Sequence, residues 1–124
     1  VAKHEAIEVI SVEASADLSA HQFKFMALSS GQLALQTSSS AANVGVLQDK
    51  PAAAGRVGSV AISGRVKVVS GAAVSVGALV MSSTTGKAIT ATGSGNRVEG
   101  LALTASGADG ELIEILKFGP YLLA

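Results

Sequence analysis

Cysteine is absent from this chain, which excludes a disulfide framework, a thiolate metal site and a cysteine nucleophile. Tryptophan is absent as well, and only three Phe and one Tyr are spread over 124 residues. A core with so few aromatic anchors must be packed from many small aliphatic contacts, or it must borrow area from a partner. Neither sign of charge is in excess: Lys plus Arg number 9 and Asp plus Glu number 9. The basic footprint of a nucleic-acid partner is therefore missing. Zero net charge also does little to keep a free monomer in solution. No run of ~18 apolar residues marks a membrane-spanning helix. The start, Val1 to Glu5, has no apolar stretch of the signal-peptide kind, so no signal peptide is expected, and no membrane partner is expected either.

What the chain has is small aliphatic residues and glycine. Hydrophobic residues make up 48%, and 14 glycines punctuate nearly the whole length. The segments between them are short and rich in β-branched residues, the pattern of an all-β sandwich or barrel with little or no helix. The candidate strands are Ala6 to Val12, Gln22 to Leu28, Gln32 to Thr37, Asn43 to Leu47, Gly58 to Ile62, Arg65 to Val69, Ala78 to Ser82, Lys87 to Thr92, Val98 to Leu103 and Glu111 to Phe118. Alternation supports several of them: Phe23 and Phe25 flank Lys24, and Val66 and Val68 flank Lys67. Glu111 to Phe118 also carries a helical stripe, but Gly110 and Gly119-Pro120 bound it too tightly for a stable helix. Two hairpins are readable, one turning through Ser29 to Gly31 and one through Ser83 to Gly86.

The two hairpins belong to a longer internal repeat. Leu18 to Phe25 aligns with Val74 to Met81, and Ser19 meets Ser75. Beyond a one-residue gap, Gly31 matches Gly86, Thr37 matches Thr92, and Gly45-Val46 matches Gly100-Leu101. Upstream, Ile10 and Val12 correspond to Val66 and Val68; downstream, Gly58 to Ile62 corresponds to Gly110 to Ile115. The expected organisation is an arm at 1–5, one β domain at 6–118 made of pseudo-repeats at about 6–62 and 64–118, and a tail at 119–124. The simplest packing of two such halves is a pseudo-twofold barrel or sandwich, whose closure would protect the strand edges.

Little chemistry is available. His4 and His21 are the only imidazoles. Ser19, His21 and Asp17 are neighbours in sequence, but positions two apart on an extended chain do not converge as a catalytic triad does. Two histidines without acids at ligand spacing make no zinc site, and Asp17, Asp49 and Asp109 are too isolated for an oxygen cage. Gly93 to Gly95 and Gly107 to Gly110 open no helix and precede no Lys-Ser/Thr, so they are turns and not phosphate loops. Lys87, beside the turn Gly86, sits where biotinyl and lipoyl carrier domains present their modified lysine, but the flanking residues typical of those carriers are missing. No catalytic residue, cofactor or metal ligand is assigned.

From about Asn43 to Phe118 the chain resembles the capsid decoration, or cement, proteins of tailed bacteriophages. The residues that carry the likeness are Val44 to Leu47, the Ala/Gly loop after it, Val60 to Gly64 leading into a Val-rich strand, Val76 to Val80, the turn with Lys87-Ala88, Glu99 to Leu103 and the last strand to Phe118. The resemblance implies a structural virion protein made in the host cytoplasm. It implies binding to the outer surface of an assembled capsid, commonly as a homotrimer, where it clamps neighbouring major capsid subunits. Two surfaces are candidates for contact. The arm Val1, Ala2, Lys3, His4 and Glu5 reaches the capsid or a neighbour, or frays as termini commonly do. The apolar tail Tyr121, Leu122 and Leu123 packs in an oligomer or covers a core edge. A β-rich fibre or adhesin module of a virion or cell surface shares this composition and is the alternative; a biotinyl/lipoyl-like carrier is the third reading.

Overall fold

The computed structural model describes residues 7–39 and 43–123. Among them there is no helix. Nine strands form one antiparallel sheet that curls into a half-barrel. The strands are β1 (Ile7–Glu13), β2 (Phe25–Ser29), β3 (Gln32–Leu35), β4 (Gly45–Leu47), β5 (Val57–Val69), β6 (Leu79–Ser82), β7 (Ala88–Thr90), β8 (Arg97–Ala102) and β9 (Leu112–Leu122). Their order across the sheet is β3-β2-β4-β5-β9-β8-β6-β7, with β1 pairing β5 off that path.

Three expectations change. The strands expected on either side of Gly64 are one 13-residue strand, β5. Gly64 has φ 99, a geometry glycine adopts freely, so the chain bends there without leaving the sheet. It is also the point where β5 changes partner: Ile7 pairs with Gly64 on one side, and Gly64 pairs with Lys117 on the other. Secondly, β9 runs on through Gly119-Pro120, so that Tyr121 and Leu122 pair with Val98 and Arg97 of β8. The register slips between Val98 and Gly100. That irregularity accommodates a proline, which cannot donate to a regular ladder. Thirdly, Phe23 does not share a strand face with Phe25. It lies in the turn before β2 with φ 65, while Phe25 is fully buried.

The pairing pattern of the first half recurs in the second. Phe25–Val46 and Met26–Gly45 pair β2 with β4; Leu79–Leu101 and Val80–Gly100 pair β6 with β8. Val46–Ala61 has its counterpart in Leu101–Leu116, and Ile10–Val60 in Val66–Ile115. Even the isolated parallel bridges correspond, Ala14–Leu33 with Ser70–Ala88. Physical register thus corrects the sequence alignment at two places. Phe25 is equivalent to Leu79, not to Met81, and Val60 to Ile115, three residues further along than the glycines suggested. The matching of Gly45 with Gly100 has a steric cause. A side chain at Gly45 would run into the carbonyl oxygen of Ala61, and one at Gly100 into that of Leu116.

The core is aliphatic, as the composition requires. One buried cluster joins the halves: Phe25, Val46 and Ala61 from the first, with Val66, Val68, Val74, Val80, Ala88, Ala102, Ile113 and Ile115. A second cluster, around Leu33, Leu47 and Val60, belongs to the first half; a third, around Met81 and Val98, belongs to the second.

Candidate assembly surfaces

Among the described residues there is no pocket, and no group of three His, Asp or Glu could hold a metal. The histidine cluster is a loop structure. Ser19 donates from its backbone N–H and its hydroxyl to Asp17 Oδ1, at 2.9 and 2.6 Å, and so commits its hydroxyl to that carboxylate. Those bonds hold the Asp17 carboxyl below its usual range. His21 instead places Nδ1 3.3 Å from Lys24 Nζ. Burial, then the Lys24 charge, pushes its imidazole below the usual value, against the smaller pull of Asp17. Lys87 is no free carrier lysine: Nζ is 3.0 Å from Asp109 Oδ1, and Gly86 before it is buried.

What the fold does present is apolar surface. Strand β9 alternates strictly, with Ile113, Ile115 and Lys117 inward and Leu112, Leu116 and Phe118 exposed. Phe118 stacks on Tyr121 with ring centroids 6.0 Å apart. Leu122 is 64% exposed at the end of the strand. Two of the four aromatic residues of the chain therefore lie together on the outside. The Arg65–Glu114 pair, at 2.8 Å, borders this strip across the β5–β9 register. A second exposed strip is Ile7, Val9 and Ile10 on β1.

Of the contact residues expected from sequence, Tyr121 and Leu122 lie on the exposed strip. Leu123 is half-buried against the Met81 and Val98 cluster. Val1 to Glu5, including His4, lie outside the described residues.

Sequence reasoning missed a buried charged cluster beside the slip in register between β8 and β9. Glu99 is fully buried; Oε1 takes a bond from Lys117 Nζ at 3.1 Å, and Oε2 one from Asn43 Nδ2 at 2.8 Å. Arg97 Nε lies 4.0 Å from the same carboxylate. Lys117 itself is buried. Such a pair is expensive to desolvate and holds only with good geometry. Here it ties the segment before β4 in the first half to β8 and β9 in the second. The signal was present, since Lys117 continues the inward series Ile113, Ile115.

Comparison with known proteins agrees with this picture. The family model described as phage cement protein matches residues 3–116. No curated protein matches the chain. Among solved structures the fold is similar to the crystal structure of the head fiber gp8.5 N base in bacteriophage phi29. The TM-score is 0.68 and the identity 15%, over 91% of this chain and 95% of that one. With the family model spanning nearly the whole sheet, the chain belongs to the phage cement protein family.

Proposed function

We propose that this protein binds the outer surface of an assembled phage capsid as a homotrimer and stabilises contacts between major capsid subunits. The observation that carries the reading is the family match over residues 3–116. The exposed strip of Leu116, Phe118, Tyr121 and Leu122 supports it, because apolar area of this kind calls for a covering partner. The action needs no catalysis and no cofactor. A ligand that binds assembled shell and not free subunits shifts the equilibrium toward the shell by mass action. Contacts of ~1,600 Å² are the usual size for a stable interface, and three linked copies reinforce one another. Nucleic acid and membrane have no part in this reading. The arm Val1 to Glu5 is assigned to the capsid contact.

A second reading, a fibre or adhesin module, is favoured by the likeness in fold to a head fiber base. It differs in what the domain would carry, and it calls for a receptor or glycan.

The deciding experiment is co-sedimentation of the purified chain with assembled, undecorated shells and with unassembled capsid protein, followed by thermal melting of the shells. Saturable binding to shells alone, with a raised shell melting temperature, is the expected result. Equal binding to free subunits, or binding without stabilisation, defeats the cement reading. Removal of residues 1–5 is expected to weaken shell binding while leaving the oligomer intact.

A further inference from the structure

The two halves touch in one direction only. The turn of the β6–β7 hairpin sits on the first half: Phe25 N–H donates to the Gly86 carbonyl at 2.7 Å. A Cβ added at Gly86 would come within 2.7 Å of Leu35 Cδ1 and 3.0 Å of the Phe25 oxygen. Under a twofold relation the equivalent turn, Gly31, would sit on Leu79 in return. It does not. Gly31 is exposed, with open space where its side chain would be, whereas Gly86 is buried. The relation between the halves is therefore head-to-tail. The pseudo-twofold expected from sequence does not hold.

Three further pairs of equivalent residues show the same asymmetry. Phe25 is fully buried, and its counterpart Leu79 is only half-buried. Val66 is 2% exposed beneath the first half, while its counterpart Ile10 is 39% exposed. Val68 is fully buried, and Val12 is half-buried. The first half has its receiving face in use and its covering face, the Gly31 turn and Ile10, left open. The second half has the reverse. These are the two complementary sides of a heterologous interface, which closes into a ring when the rotation permits and otherwise runs on as a filament.

We infer that the open faces meet between copies of this chain. The β6–β7 end of one copy, around Leu79 and Thr90, receives the Ser29 to Gly31 turn and the Ile10 side of β1 of the next. Three copies joined in this way form a ring of six like hairpin units. This names the interface of the trimer proposed above and rests on that reading.

The chain has no cysteine, so a pair of new ones gives a clean readout. Thr90 is the counterpart of Leu35, which touches the turn in the internal contact. The test combines Ser30→Cys with Thr90→Cys in one chain, with mild oxidation, non-reducing gels and light scattering. Cross-linked dimers and trimers are expected from the double variant, ending at trimer, and none above dimer from either single variant. A charged turn, Ser29→Asp with Ser30→Asp, touches only exposed positions and is expected to weaken self-association at least about tenfold with an unchanged melting temperature of the monomer. A trimer that ignores both changes overturns this interface and leaves the trimer standing. A chain monomeric in solution and uncross-linked on shells overturns both, whereas failure to bind shells by a cross-linked trimer defeats only the capsid reading.

Discussion

Phe23 and Gly77 occupy the same place in the two halves, and both have positive φ, 65 and 85. Each donates its N–H to the end of the neighbouring strand, Phe23 to Leu47 O at 2.7 Å and Gly77 to Ala102 O at 2.8 Å. A bulky side chain in this backbone region carries ~1–2 kcal/mol of strain that glycine does not. Gly77→Ala, with open space around the new methyl, is expected to cost about 1 kcal/mol from the backbone alone. Phe23→Gly is expected to cost well under the ~3–5 kcal/mol of an ordinary core Phe truncation, because strain relief offsets lost contact. Urea midpoints of both variants check the pair.

The close strand approaches at Gly45 and Gly100 make a matched prediction. Gly45→Ala and Gly100→Ala each push a methyl against a backbone oxygen that cannot move without opening the sheet. Each is expected to lower stability by ~1–3 kcal/mol. Gly107, whose nearest neighbour would be a carboxylate oxygen of Glu111 at 4.0 Å, is the control, and Gly107→Ala is expected to stay within ~0.5 kcal/mol.

The buried Glu99–Lys117 pair predicts strong non-additivity. Glu99→Gln removes the negative charge that faces the buried Lys117 ammonium and is expected to cost ~3–5 kcal/mol. Glu99→Leu combined with Lys117→Met removes both charges and is expected to recover most of that loss. A double-mutant cycle by chemical denaturation measures the coupling.

Acid is expected to weaken the fold in two windows. The folded chain disfavours a charged His21, so the stability this group contributes is complete above its ordinary value of 6.5 and falls as pH drops through it. Asp17 is held below its ordinary 3.8 by Ser19, so its contribution is present above that value and is lost as pH falls beneath it. Unfolding midpoints followed from about pH 8 to about pH 3 test this. His21→Gln is expected to flatten the upper window, and Ser19→Ala to shrink the lower one.

Much of the sheet was legible because local signals agreed. The alternation of Val66, Lys67 and Val68 and the glycines at 31 and 86 placed strands and turns close to where they lie. The repeat was visible at Gly45 and Gly100 because both positions answer the same backbone contact. It was misread at Phe25 and Gly58, where apolar residues of either register look alike and only hydrogen bonding distinguishes them. Phe23 was misassigned because a phenylalanine gives no warning of positive φ. The assembly surfaces were half-legible: an apolar tail stands out in sequence, but the exposure of Ile10 against the burial of Val66 is a tertiary fact. Glu99 could not be paired with Asn43 and Lys117 before the strands were set side by side.

Strand β5 belongs to both halves at once, its first part closing one unit and its last part opening the next. A cut near Gly64 would not yield two independent modules, because Phe25, Val46 and Ala61 share one buried cluster with Val66, Val68 and Ile115, and Val69 N–H donates to Phe23 O across the halves. Unfolding should therefore be a single cooperative event in spite of the repeated architecture. The two units can diverge in their turns and outer faces, but they must keep a common backbone at the strand they share.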